Sequence, residues 1–571
     1  MARTVGIGIQ DFAKLKSEDL FLVDKTMFIK EWWEKRDEVT LIARPRRFGK
    51  TLNLSMLEYF FSVKYAGSGL FQGMKIWEEE KYRELQGTYP VISLSFSSVK
   101  EDNFSEAKEK ICRLIQLTYQ KFDFLLEEDF LKEYEKEAFL NVSADMKAYE
   151  ASLSLRLLSG YLYRYYGKKV LILLDEYDTP MQEAYSGGYW KELVSFFRSF
   201  FNATFKDNPY LDRAVMTGIT RVSKESIFSD LNNLKVVTTT SDLYADAFGF
   251  TEEEVDAALK EYGLFERRGE VRRWYDGFKF GDRSDIYNPW SIINYLDNKG
   301  KAEPYWVNTS SNTLIGVLIQ QGTGNVKEGI ETLLKGGTIR TELEEQIVYH
   351  QLDLDESAIW SLMVASGYLK VRDTEIRGDS IRSWEKIYTL ETTNFEVEIM
   401  LRQMVRYWFA SNTANYNEFI RALLLDDVDA MNVYMNRVSL ATFSFFDSGN
   451  HSDGRSEPER FYHGFVLGLM IDLEDRYILT SNRESGFGRY DIMLEPRNSK
   501  DPAIIIEFKV QGRRESDLTE TVKNALRQIE EKQYEVSLVA KGIPSERIRK
   551  YGFAFQGKRV MIESAETVRE L

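Results

Sequence analysis

Apolar residues in this chain keep two rhythms, and the balance between them shifts along its length. Over residues 1–250, unbroken apolar runs alternate with stretches of helical spacing, the order expected of a sheet whose strands are buried on both faces. Strands are predicted at Val39-Thr40-Leu41-Ile42-Ala43, Val91-Ile92-Ser93-Leu94-Ser95-Phe96, Val170-Leu171-Ile172-Leu173-Leu174, Ala214-Val215-Met216-Thr217-Gly218-Ile219-Thr220-Arg221 and Lys235-Val236-Val237-Thr238-Thr239-Thr240. Residues from about 104 to 166 predict helices, with apolar repeats over Ala107 to Tyr119 and Ser152 to Tyr166. From Thr251 the pattern turns to helices and turns, opening on the capping sequence Thr251-Glu252-Glu253-Glu254 and a stripe through Val255, Leu259 and Tyr262. Trp274-Tyr275-Asp276-Gly277-Phe278 and Tyr287-Asn288-Pro289-Trp290 read as turn-forming packing material of a lid or connector. Ser357 to Val371 predicts a helix running into a strand, which with Ile387-Tyr388-Thr389-Leu390 makes a candidate winged-helix unit.

At 571 residues the chain exceeds a single core, and a prior of roughly 150 residues per domain gives three or four units. The expected division is a phosphate-loop α/β domain over 1–250, a helical lid or connector over 251–345, a candidate winged-helix or helical linker over 346–445, and a second α/β domain over 446–571. Cys112 is the only cysteine, which rules out an internal disulfide and a thiolate metal cluster and points to a reducing cytoplasm. No signal-peptide core opens the chain and no apolar run reaches bilayer length, so no membrane partner is expected. A net charge of −15 argues against coating nucleic acid by bulk electrostatics, while leaving room for a local basic groove. Lys541, Arg547, Arg549, Lys550, Lys558 and Arg559 gather near the C-terminus, although a charge run is more often a solvated surface.

Candidate chemistry enters first at Arg44-Pro45-Arg46-Arg47-Phe48-Gly49-Lys50-Thr51. A strand, this loop and the helix that follows it place backbone N–H groups and a helix N-terminus where phosphate charge would sit, with Arg44 standing where glycine is usual. Lys50 is expected to reach the β and γ phosphates and the Thr51 hydroxyl to bind magnesium. Gly-Lys-Thr also occurs in ordinary strand-to-helix turns; what favours nucleotide binding is the acidic strand end Asp175-Glu176. Asp175 is suited to hold magnesium and Glu176 to polarise the attacking water. The Val91 strand lies between the loop and Asp175, an arrangement of the additional-strand, catalytic-glutamate class. Thr217 or Thr220 is placed to sense a γ phosphate and Arg221 to neutralise transition-state charge, with capping of a strand end as the structural alternative.

A second constellation lies near the C-terminus. Tyr490-Asp491-Ile492-Met493-Leu494 and Ala503-Ile504-Ile505-Ile506-Glu507-Phe508-Lys509-Val510 predict adjacent strands. Strand alternation puts Glu507 and Lys509 on one face and Phe508 on the other. Asp491 converges on them, and two carboxylates held close repel unless a divalent ion lies between, as in metal-assisted phosphodiester hydrolysis. Upstream, Glu459 and His463 share a face of the helix predicted from Glu459 to Leu469; Glu459 is a further candidate metal contact, and His463 is either a ligand or a satisfied core histidine. A helix from Leu526 to Tyr534 would present Gln528 to the same site. An ion pair across a sheet edge is the structural alternative for Asp491, Glu507 and Lys509.

Phe21-Leu22-Val23-Asp24-Lys25-Thr26, the loop Arg44 to Thr51, Asp175-Glu176-Tyr177-Asp178 and Tyr275-Asp276-Gly277-Phe278 together resemble the prokaryotic AAA-ATPase-like family with a C-terminal PD-(D/E)XK nuclease domain. The resemblance spans nearly the whole chain, and it implies that Arg44 is a family trait. It implies a parallel AAA-like sheet domain and a C-terminal restriction-endonuclease-like α/β domain. It also implies Asp491 and Glu507 as metal ligands, Lys509 as the catalytic lysine, Glu459 as the helix acid and Gln528 as accessory. Tyr490 stands where the nuclease motif usually has proline.

The expected function is an ATP-binding, ATP-hydrolysing protein coupled to a magnesium-dependent nuclease, with manganese as an alternative ion. DNA is expected ahead of RNA, and a homo-oligomer is an open option. The competing readings are a nucleotide-controlled assembly switch whose C-terminal domain binds nucleic acid or protein without cutting, and a nucleotide-binding scaffold without hydrolysis.

Overall fold

A computed structural model describes the chain apart from residues 1, 128–129, 221–226, 229–230, 307–314, 317, 320–323, 345–354, 378–384, 411–415, 443–461, 463–465, 467–468, 471–472, 474–475, 486–487, 499–500, 513–514 and 566–571. Two compact units result: Met1–Leu318 with Gly336–Met400, and Ile319–Lys335 with Leu401–Leu571.

In the first unit, β1 (Val39–Ala43), β2 (Val91–Ser95), β3 (Val170–Asp175), β4 (Leu211–Gly218) and β5 (Leu234–Val237) form a parallel sheet in the order β2-β3-β4-β1-β5. Every residue of β1 and β3 is buried, which is why both strands read as continuous apolar runs with no alternation. The additional strand expected between the loop strand and the acidic strand is present, but it is β4 and not the Val91 strand. The Val91 strand intervenes between the loop and Asp175 only along the chain; in space β4 separates β1 from β3, and β2 is the outer neighbour of β3. Ser93 and Ser95 leave β2 half-buried on alternate positions, as suits an outer strand, while β4 is buried throughout Ala214 to Gly218.

Beside this sheet, β6 (Phe250–Thr251), β7 (Phe278–Phe280) and β8 (Arg283–Tyr287) form a small antiparallel sheet. The helix Glu356–Ala365 leads into a third sheet made of β9 (Ile339–Thr341), β10 (Leu369–Arg377) and β11 (Glu385–Thr392), ordered β10-β11-β9. Gly277 carries φ +118, and a Cβ there would lie 2.1 Å from the Thr393 carbonyl oxygen. Glycine therefore lets the Tyr275-Asp276-Gly277-Phe278 turn settle on the end of β11. Phe278 then packs on Phe48 of the phosphate loop, ring centroids 4.7 Å apart.

The second unit is built on β12 (Tyr477–Ser485), β13 (Gly488–Pro496), β14 (Ala503–Val510), β15 (Ile548–Gln556) and β16 (Arg559–Ser564), paired in that order. Only β14 and β15 run parallel; the other pairs are antiparallel. Ile504, Ile506 and Phe508 point into a core shared with the helices Tyr416–Leu425 and Val428–Thr442. Ala503 and Ile505 face Leu526 and Ile529 of the helix Leu518–Glu531. The edge of β16 is closed by two asparagines one helical turn apart. Asn432 exchanges both amide bonds with the Ile562 backbone (2.8 Å each), and Asn436 does the same at Val560 (2.7 and 3.0 Å). These bonds tie 428–442 to the C-terminal sheet, so the segment 346–445 is divided between the two units. Among the described residues no helix is long and apolar enough to cross a membrane.

Candidate functional site

The phosphate loop ends in Gly49, whose φ of +80 is open to glycine without strain and starts the helix Lys50–Phe61. Arg47, two residues earlier, holds φ +66 with a side chain attached, a conformation that non-glycine residues take at a cost of about 1 kcal/mol or more. Lys50 is buried, and its ammonium donates to the carbonyls of Arg44 (3.0 Å) and Pro45 (2.9 Å). Burial lowers the pKa of Lys50, opposed by the charges of Glu176, Asp178 and Asp175.

Asp175 ends β3 with its carboxylate spanned by two hydroxyls: Thr51 donates to one oxygen at 2.7 Å and Thr217 to the other at 2.5 Å. Its pKa is raised because burial outweighs both bonds. Thr51 and Asp175 come from distant parts of the chain yet place a hydroxyl and a carboxylate in contact, the hard oxygen donors that magnesium prefers. Glu176 leaves the strand at φ +51 and accepts from Thr179 Oγ1 at 3.1 Å, so the backbone bends where the acid projects.

Arg44 behaves differently from the expectation of a cofactor-binding side chain. Its guanidinium is fully buried, donating to the carbonyls of Ala43 (3.2 Å), Thr238 and Leu243 (3.0 Å) and lying 4.4 Å from the centroid of Phe280. Burial pushes its pKa down, against the opposing charge of Glu31. The arginine thus fastens the first loop residue to the chain leaving β5 through both terminal guanidinium nitrogens. Arg46 donates to Gln182 (3.1 Å), Arg47 stacks over Trp290 (4.4 Å to the centroid), and Phe48 is wholly buried. Thr220 serves a strand end: it and the Ile219 and Thr220 amides bond Asp178, at 2.8 to 2.9 Å. Asp178 is the buried anchor that motif reasoning passed over, although it closes the Asp-Glu-Tyr-Asp string. Arg221 lies outside the described residues, as do Glu459 and His463.

In the second unit, β13 and β14 pair from Ile492↔Ile506 to Leu494↔Ile504. One residue beyond that ladder, Asp491 takes the Phe508 amide at 2.8 Å, so a side chain replaces the strand partner. Glu507 is 2 % exposed and Lys509 sits 3.9 Å from it on the same face. Gln528 bridges them: its carbonyl accepts from Lys509 Nζ at 2.6 Å and its amide nitrogen donates to Glu507. The same nitrogen donates to the Tyr534 hydroxyl at 3.0 Å. Tyr534 is a member that the sequence did not announce. The helix stops at Glu531, three residues short of the predicted Tyr534, and Gln533 at φ +53 turns the tyrosine back toward Gln528. Burial raises the Tyr534 pKa, and the charges of Glu507 and Asp491 add to it, so both carboxylates bear on one hydroxyl. Among the described residues no group of three or more acids, histidines or cysteines is set to hold a metal; Asp491 and Glu507 are the carboxylates whose charges both reach Tyr534.

The basic C-terminal cluster is largely occupied within the fold. Lys541 pairs with Glu495, Lys550 with Glu530 and Glu535, and Arg549 with Asp426. Arg547 donates to the Asp501 carbonyl.

Residues 6–228 match the family model described as predicted AAA-ATPase, and residues 457–565 match that of the PD-(D/E)XK nuclease superfamily. The chain therefore carries an AAA-ATPase-like segment followed by a PD-(D/E)XK-type segment. The mixed α/β architecture, a parallel sheet first and a mixed sheet last, agrees with both. A protein of Azotobacter chroococcum mcd 1, described as "Uncharacterized protein in vnfD 5'region", is 25% identical over 554 residues, covering 94% of each chain.

Proposed function

We propose that the protein binds and hydrolyses ATP at Arg44–Thr51 and, governed by that cycle, hydrolyses phosphodiester bonds of DNA with magnesium at Asp491, Glu507 and Lys509. The observation that carries the nuclease half is the chain Glu507–Gln528–Lys509 beside Asp491 on a strand buried on both faces. A lysine kept 3.9 Å from a nearly buried acid needs a reason, and phosphate chemistry supplies one.

At the nucleotide site, the amides entering the helix at Lys50 and the Lys50 ammonium bind the phosphates. Thr51 and Asp175 would hold the magnesium ion, which when bound offsets phosphate charge. Glu176, aimed by its bent backbone, accepts a proton from the attacking water. At the nuclease site, Asp491 and Glu507 would hold a divalent cation, which supplies polarisation of the scissile phosphate and a more acidic water. Lys509 keeps its ammonium against the phosphate oxygens as negative charge grows. Gln528 positions Lys509 and separates it from full collapse onto Glu507, and the Phe508 amide orients Asp491.

Two activities are to be measured on the full chain: phosphate release from ATP, and cleavage of plasmid and single-stranded DNA with magnesium, with and without ATP. Glu176→Gln should abolish phosphate release while ATP still binds; release at the native rate in that variant would remove Glu176 from the water-activating role.

A further inference from the structure

A cavity of about 260 Å³ lies in the first unit beside the phosphate loop, and neither the ATP cycle nor the DNA site uses it. Its walls come from Pro45, the residues after β5, β7, and the β10 and β11 strands. Lys279, Lys370 and Lys386 line it together with Thr240 and Thr374. Asp242 and Asp282 are the acids on its lining, and Asp242 is engaged in the adjoining turn, where it accepts the Asp282 amide at 2.6 Å. Lys370 also has Glu391 at 3.5 Å, and Lys386 lies 4.9 Å from the centroid of Tyr388. Phe278, Val364 and Leu369 add apolar surface to the lining.

We infer that this cavity binds a small organic phosphate and that its occupancy changes nucleotide affinity at the loop. Three lysines with threonine hydroxyls among them suit a dianion carried on a compact body, and the apolar part of the lining suits the rest of such a molecule. Two of its walls bear on the phosphate loop. Pro45 belongs to both, and its carbonyl receives the Lys50 ammonium; Thr240 lies two residues from Thr238, whose carbonyl receives Arg44. A ligand gripping the β10–β11 lysines therefore shifts the groups that hold Lys50, and linkage requires nucleotide to shift the ligand by the same factor. The coupling rests on the nucleotide reading above; the binding of the phosphate does not.

The test is calorimetric titration of inorganic phosphate and of ribose 5-phosphate into full-length protein saturated with ADP, which occupies the loop. Saturable binding is expected, weaker for inorganic phosphate, together with a several-fold change in ADP affinity. The double variant Lys279→Ala/Lys386→Ala should weaken ribose 5-phosphate at least tenfold, and Lys279→Arg/Lys386→Arg should restore most of it. The inference is overturned if neither phosphate binds, if ADP competes both away, or if binding survives the alanine pair unchanged. A chain that binds ribose 5-phosphate but not ADP would instead overturn the nucleotide reading and leave this site standing.

Discussion

Motif logic and structure disagree about Arg44→Gly, which makes it the most informative single change in the loop. The motif says that glycine is the usual residue, so the substitution should preserve or improve nucleotide binding. The structure says that three carbonyls, of Ala43, Thr238 and Leu243, lose their donors. Each stranded carbonyl costs about 1–2 kcal/mol, and the lost contact with the Phe280 ring adds about 1 kcal/mol. Relief of burying a guanidinium offsets part of this, leaving a net loss of about 3 kcal/mol. Urea unfolding followed by tryptophan fluorescence should show the first transition falling by up to about 1 M. ADP should bind more weakly by calorimetry, because the first loop residue is no longer fastened to the chain after β5. Arg44→Met, which restores the apolar stem without the donors, should fall between the two. Equal stability with tighter ADP binding in the glycine variant would refute the reasoning.

Thr217→Val removes one hydroxyl from Asp175 and should lower affinity for magnesium–nucleotide by about 1–2 kcal/mol while metal-free nucleotide binds as before; titrations with and without magnesium separate the two. Glu396 is fully buried between Ser291 and the Trp306 amide, and burial raises its pKa from 4.5 to about 7. The folded state therefore holds this proton more tightly than the unfolded chain, so its contribution to stability is present below pH 4.5 and is lost as pH rises to about 7. The loss amounts to about 3 kcal/mol, and Glu396→Gln should flatten that part of a melting-temperature profile between pH 4.5 and 7. Asn432→Ala/Asn436→Ala uncovers four backbone groups of β16, should cost about 2–4 kcal/mol in the second unit, and should produce concentration-dependent association on a sizing column; a monomer of native stability would contradict the edge-closing role.

The sequence shows most plainly what depends on neighbouring residues. Apolar runs located β1, β3 and β14, and strand alternation put Glu507 and Lys509 on one face, because these follow from local period alone. The order of the first sheet did not, since whether β2 or β4 sits against β1 is decided by pairing between strands more than 100 residues apart. Side-chain direction in the loop was equally hidden: Arg44 and Lys50 are both buried cations, but one bonds the carbonyls of Thr238 and Leu243 and the other those of the loop itself. Tyr534 joined the second site only because Gln533 takes a left-handed turn that its residue type does not demand. Asn432 and Asn436, at helical spacing, read as an ordinary polar face until β16 is laid beside them.

The most direct test of the two-site account is cleavage of supercoiled plasmid by the full chain with magnesium and ATP, run beside Lys509→Ala and Lys50→Ala. The account predicts nicking or linearisation by the native protein, loss of at least a hundredfold in Lys509→Ala with DNA binding retained, and loss of the ATP response in Lys50→Ala. Cleavage at the native rate in Lys509→Ala, or none by the native protein with magnesium or manganese in any nucleotide state, would contradict it.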